Sequence, residues 1–221
     1  MRAKDIISPL VIPLKPADPG SLALTWMEDI GVTHLPVVDK ERFLGLVKNA
    51  DIYGMEDMDL PLGDHHLPLT NLYAPDDMHF YEVLRLAATE KLSLVAVLDE
   101  QNRYMGSITQ AEMIQSMAAF TSVSQPGGII VLEMSPQQYS LAEIARIVEA
   151  NDAKVLSSAL SSTADTNKLE VTIKVSVMDL SSIIQTFNRY DFTIKASFAE
   201  ESQYDALLSE RFEALMRFLN T

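Results

Sequence analysis

A 60-residue internal repeat governs the first half of the sequence. Gly31-Val-Thr-His-Leu-Pro-Val-Val-Asp39, a short polar turn, Phe43-Leu-Gly-Leu-Val47 and Lys48-Asn-Ala-Asp-Ile52 return further on. Their counterparts are Lys91-Leu-Ser-Leu-Val-Ala-Val-Leu-Asp99, a turn one residue longer, Tyr104-Met-Gly-Ser-Ile108 and Thr109-Gln-Ala-Glu-Met113. Asp39 matches Asp99, Gly45 matches Gly106, and Ala50 matches Ala111. A unit of this length buries too little of its own surface to be comfortable alone, so two copies are expected to pack face to face.

Each copy reads as helix, strand, turn, strand, helix. Leu22, Ala23, Trp26, Met27 and Ile30 before the first copy, and Phe80, Val83, Leu84 and Ala87 before the second, fall at the three-to-four spacing of an amphipathic helix. The runs Leu35 to Val38, Phe43 to Val47, Leu94 to Leu98 and Tyr104 to Ile108 are short, β-rich and joined by polar turns, which makes each pair a hairpin. The copies are expected at 1–60 and 61–121, with the Pro- and Gly-containing stretch 57–66 as the linker between them.

His34-Leu-Pro-Val-Val-Asp39 followed by Gly45-Leu-Val-x-x-x-Asp51, repeated in weaker form, resembles the cystathionine β-synthase (CBS) domain pair, or Bateman module, over residues 1 to about 121. The resemblance implies tandem βαββα repeats packed as a pair. It also implies an adenosine ligand (AMP, ADP, ATP or S-adenosylmethionine) in the cleft between them. The base would pack around the first strand of each copy, here Thr33, His34, Leu35 and Pro36, and Ser93, Leu94, Val95 and Ala96. A Ser/Thr-x-x-Asp motif would hold the ribose hydroxyls by its Asp and place its hydroxyl near the phosphates.

Both copies depart from that motif. The first keeps Asp51 but has Lys48 in the Ser/Thr position, where a lysine can meet phosphate as a point charge. The second keeps Thr109 but has Glu112, one methylene longer, and replaces Pro36 by Ala96. Thr109-Gln-Ala-Glu112 is also a helix capping box, so those two residues serve either the helix start or a ligand. Asp51 serves either the helix dipole or a ligand.

Ser122-Val-Ser-Gln-Pro-Gly-Gly128 is a linker by composition. The segment 129–200 then reads βαββαβ, an order that resembles the ferredoxin-like ACT domain, a small regulatory module that often binds amino acids and pairs side by side. Its first strand-to-helix turn, Ser135-Pro-Gln-Gln-Tyr-Ser-Leu141, has no glycine and carries Tyr139, which argues against an amino-acid ligand there. A final helix is expected over 201–221, with Tyr204, Leu207, Leu208, Phe212, Leu215, Met216 and Leu219 at helical spacing as core or dimer contact. The succession of CBS, CBS and ACT-like modules resembles the acetoin-utilisation regulators of bacteria. The expected class is therefore α/β (α+β), and pairing of both module types implies a homodimer.

Charge and composition exclude several functions. Asp and Glu outnumber Lys and Arg by 31 to 17, a net charge of −14, so the average surface field repels nucleic acid. No basic residue lies between Lys48 and Arg85, while Asp51, Glu56, Asp57, Asp59, Asp64, Asp76 and Asp77 do; this is a solvated acidic stretch or a patch for a divalent cation or a basic partner. The absence of cysteine removes thiolate nucleophiles, disulfides and Cys-type metal sites. No apolar run is long enough to span a bilayer and no secretory leader is evident, so a cytoplasmic protein without a membrane partner is expected. No nucleophile elbow, dinucleotide fingerprint, phosphate-binding loop or zinc-protease helix is present. His65 and His66 are adjacent and ill spaced for shared ligation, so no metal site, cofactor or catalytic residue is expected. What remains is a regulatory protein with an adenine-nucleotide ligand and an unidentified regulated partner, or a ligand-free dimerisation module.

Overall fold

The computed structural model describes residues 1–163 and 168–199; the apolar stripe of 201–221 lies outside the described residues. The chain is a mixed α/β protein that divides into two units, Met1–Met117 and Ala118 onward, each with its own hydrophobic core.

In the first unit the 60-residue period is visible atom by atom. Helix α1 (Gly20–Ile30) buries Ala23 and Met27, and α3 (Phe80–Glu90) buries Val83 and Ala87 at the matching positions. Both helices end on a left-handed residue, Gly31 and Lys91. The first hairpin pairs β1 (His34–Asp39) with β2 (Arg42–Lys48), and its register slips between Val37 and Val38. The second pairs β4 (Leu94–Leu98) with β5 (Tyr104–Thr109) and slips between Val97 and Leu98. Ahead of each hairpin a further strand runs parallel to it: β3 (Tyr73–Pro75) sets Ala74 opposite Val97, and a single bridge sets Leu14 opposite Val37. Each copy is thus βαββα. The copies differ in their last helix, five residues in α2 (Asn49–Tyr53) and eleven in α4 (Gln110–Phe120).

The stretch 57–66 is more than the linker read from its prolines. It is the second copy's version of the N-terminus, and the two leading segments are exchanged. A 3-10 turn at Ala3–Ile6 docks by Ala3 N–H on Met78 O (2.9 Å) and Lys4 N–H on Asp76 O (3.1 Å). The 3-10 turn at Leu62–Asp64 docks by Leu62 N–H on Asp18 O (2.9 Å) and Gly63 N–H on Pro16 O (2.8 Å). Further along, Ser8 N–H donates to Ser107 O (2.8 Å) in the second copy, while Thr70 exchanges both backbone bonds with Leu46 in the first (2.8 and 2.9 Å). Each hairpin edge is therefore covered by the other copy's leader, which removes two open strand edges. The crossing is close enough to need glycine: a Cβ on Gly106, at φ +156°, would lie 2.4 Å from Ile7 Cγ2, and one on Gly45, at φ +144°, 2.8 Å from Leu69 Cβ.

The second unit contains β6 (Ile129–Met134), α5 (Leu141–Glu149), β7 (Val155–Thr163), β8 (Lys168–Val175), α6 (Ser181–Arg189) and β9 (Thr193–Phe198). Its antiparallel sheet has the order β7-β8-β6-β9. Alternate residues Ile130, Leu132, Val171, Ile173 and Val175 are buried with Ile144, Ile147, Val148, Ile183 and Phe187 of the two helices, as strand and helix periodicity require. Ser140 caps α5 by accepting Glu143 N–H (3.3 Å), and Asp179 accepts Ser181 N–H (2.9 Å) at the start of α6.

Candidate ligand site in the repeat pair

The first strands of the two copies meet where the pair is most nearly symmetric. Ser93 Oγ accepts the backbone N–H groups of Thr33 (2.9 Å) and His34 (3.0 Å). With those acceptor positions filled, its own proton is directed to His34 Nδ1, 3.0 Å away; Ser93 N–H also points to Nδ1 at 3.4 Å. Thr33 Oγ1 lies 3.0 Å from the same nitrogen. Nδ1 is therefore an acceptor, and the ring proton of the neutral imidazole sits on Nε2. His34 is buried, and burial followed by the Lys48 ammonium holds its pKa below the ordinary 6.5 against the opposing pull of Asp51.

Those two charged residues reach His34 through local geometry. Lys48 is the register partner of His34 across β1 and β2 and is the residue from which α2 starts. Asn49 N–H donates to Thr33 O (3.0 Å), which pins the helix start to β1, and Asp51 stands in the first turn, half-buried. Lys48 caps with no side-chain bond, and neither it nor Asp51 is in an ion pair among the described residues. Thr33, His34, Lys48 and Asp51 are thus gathered at one end of the first hairpin.

The second copy has the same frame and a different outcome. Gln110 N–H donates to Ser93 O (3.1 Å), matching the Asn49 bond. Here, however, Glu112 Oε2 accepts Thr109 N–H (3.2 Å) and the Thr109 hydroxyl. Partial burial raises the Glu112 pKa, but the hydroxyls of Thr109 and Ser8 outweigh it and hold the carboxyl below its usual range. The carboxylate is engaged by its own helix start and by the exchanged N-terminal leader. Leu35, Leu94, Val95 and Ala96 are fully buried core residues, and Pro36 is buried with its carbonyl taken by Leu14 N–H (2.8 Å). The residues that sequence reasoning passed over are Ser8 and Thr70. Both pair with a hairpin edge through backbone atoms, and such pairing leaves no pattern in side chains. Asp76 of the acidic stretch is paired with Lys4 at 3.0 Å. Among the described residues no three His, Asp or Glu side chains are grouped to hold a metal, and no helix is long and apolar enough to cross a membrane.

Fold and site together define a mixed α/β chain built from a paired βαββα repeat and a βαββαβ unit. No protein-family model matches it. A curated relative, inosine-5'-monophosphate dehydrogenase of Methanocaldococcus jannaschii, is 26% identical over 115 residues, which are 52% of this chain. The chain spans only 23% of that enzyme's length. Among solved structures, a CBS domain pair/ACT domain protein from Thermotoga maritima is 17% identical with a TM-score of 0.48, covering 54% of this chain and 98% of that one. The plant protein CBSX2 of Arabidopsis thaliana, in complex with AMP, is 20% identical with a TM-score of 0.45, covering 53% and 96%.

Proposed function

We propose that this chain is a regulatory protein without catalysis of its own, whose first unit is a CBS-type pair that binds an adenine nucleotide in the first copy's cleft. The observation that carries this is the asymmetry of the two copies: Lys48 and Asp51 flank His34 without ion-pair partners among the described residues, whereas Glu112 is engaged by Thr109 and Ser8. A carboxylate at Asp51 accepts from ribose hydroxyls, an ammonium at Lys48 meets phosphate, and the Thr33–Pro36 strand lies alongside for the base. Micromolar or weaker affinity suits one exposed cation, Lys48, and one half-buried anion, Asp51. The second cleft binds more weakly or not at all.

In this reading the second unit is an ACT-like module, supported by its ferredoxin-like sheet order β7-β8-β6-β9. The whole would act as a cytoplasmic homodimer of the bacterial acetoin-utilisation regulator type, and ligand binding would be reported through dimer packing to an unidentified regulated protein. The second reading, a ligand-free dimerisation and interaction module, is favoured by the engaged Glu112 and by the missing hydroxyl at Lys48.

Titration calorimetry with AMP, ADP, ATP and S-adenosylmethionine separates the two. The nucleotide reading expects saturable heat that Asp51→Ala weakens about tenfold, the size of a lost charge-assisted hydrogen-bond pair. Absence of heat with all four compounds, or unchanged affinity in Asp51→Ala, leaves the interaction module standing.

A further inference from the structure

The second unit contains a cavity of about 400 Å³ to which the nucleotide reading gives no role. It is bounded by the end of β6, the turn into α5 and the turn between α6 and β9. The volume is that of a small-molecule site. Among the described residues its lining includes three carboxylates, Glu133, Glu143 and Asp191, and no Lys, Arg or His. Tyr139, Tyr190 and Phe192 supply aromatic walls. Tyr139 is half-buried and packs with Phe192 against the second core, where Phe187 meets Phe192 edge to face at 5.3 Å.

Two of the lining residues already contact an organic cation. The Arg146 guanidinium lies 5.5 Å from the centroid of the Tyr190 ring and 3.8 Å from Glu143 Oε1, so an aromatic face and a carboxylate of the lining jointly bind a positive group. Glu133 is likewise paired, to Lys168 at 2.5 Å, which holds its carboxyl below the usual range. Asp191, in a left-handed backbone conformation in the α6–β9 turn, is in no ion pair among the described residues. A ligand carboxylate would find no unpaired cation here among the described residues, because Arg146 is paired with Glu143 and the Tyr190 face, Lys168 with Glu133 and Lys195 with Glu170, and the turn 135–141 bares no glycine backbone. A ligand ammonium would find Asp191 open and Glu143 available by displacing Arg146.

We infer that this cavity takes a small organic amine that lacks a carboxylate, its ammonium against Asp191 and Glu143 and its apolar body against Tyr139 and Phe192. The site belongs to the second unit alone and stands whether or not the first binds a nucleotide.

The test uses matched pairs that differ only in the carboxylate: tyramine against tyrosine, and agmatine against arginine, titrated into the full chain by calorimetry. Both amines are expected to bind at least tenfold more tightly than their amino acids. Asp191→Asn, which suits the left-handed position, weakens amine binding about fivefold, the size of one partly exposed charge pair. Arg146→Ala, which frees Glu143 and the Tyr190 face, tightens it. Backbone chemical shifts perturbed by tyramine fall within 133–143 and 190–193. Equal or better binding of the amino acids, weaker amine binding in Arg146→Ala, shifts confined to the first unit, or no heat with either amine at millimolar concentration would each overturn the assignment.

Discussion

A single buried imidazole links the two copies, and its protonation state is set by what surrounds it. Ser93 offers a hydroxyl and an N–H to His34 Nδ1, so a proton on that nitrogen would have to displace a donor. Burial and Lys48 act in the same direction. The consequence for stability has a definite sign. Below the unfolded value of 6.5 the unfolded chain takes up a proton that the native chain resists, so this contribution is complete above that pH and is lost as pH falls toward the depressed folded pKa. His34→Asn keeps an acceptor for Ser93 but cannot titrate. The stability difference between wild type and His34→Asn, measured by urea unfolding, should therefore shrink between about pH 7.5 and 5.5. A difference that stays constant over that range would mean the imidazole is as easily protonated in the fold as outside it.

At the scale of elements, the exchanged leaders make the hairpins dependent on two glycines. Gly106→Ala should cost about 2–4 kcal/mol, because it combines overpacking against the branched side chain of Ile7 with a positive-φ penalty. The denaturant midpoint should fall with an unchanged m-value. A loss under about 0.5 kcal/mol, the range of ordinary surface changes, would show that the leader moves aside freely.

This crossing is also where reading the sequence stopped short. Helices and hairpins could be read because Ala23, Met27, Val83 and Ala87 sit at helical spacing and because Val38 and Leu98 close apolar runs of strand length. The leaders could not, because Ser8 and Thr70 pair through backbone atoms alone with residues some 24 to 99 positions away, and backbone pairing leaves no pattern in side chains. The same holds within the site. The Lys48 and Asp51 positions followed from the motif, whereas the Ser93–His34 bond across 59 residues and the Ser8 hydroxyl on Glu112 depend on how the copies are juxtaposed. In the second unit the element order was readable, but the cavity arises from two turns, 137–140 and 190–193, distant in sequence.

For the whole molecule, the charge of −14 sets the long-range behaviour and leaves association to apolar surface. Ile114 in the first unit, and Phe120, Val123, Leu160 and Phe198 in the second, are large exposed apolar side chains of the kind buried between subunits. A closed two-fold pair is the commonest way to cover such surface, and light scattering should give about 49 kDa, twice the 24.5 kDa chain. Raising the salt concentration should strengthen the pair by screening the repulsion between two acidic chains. A mass of one chain at every concentration would remove dimer packing from the proposed signalling.

The exchange of leaders also sets an order of events during synthesis. Ser8 is made about 99 residues before its partner Ser107. At ribosomal rates of about 5–20 residues per second, the N-terminal segment waits on the order of 5–20 s with its backbone groups open to water before the β5 edge emerges. The first copy, by contrast, receives its leader from Thr70 while the second is still being translated. The strand edge beside Lys48 and Asp51 thus has its cover synthesised before the half that carries Glu112 is made.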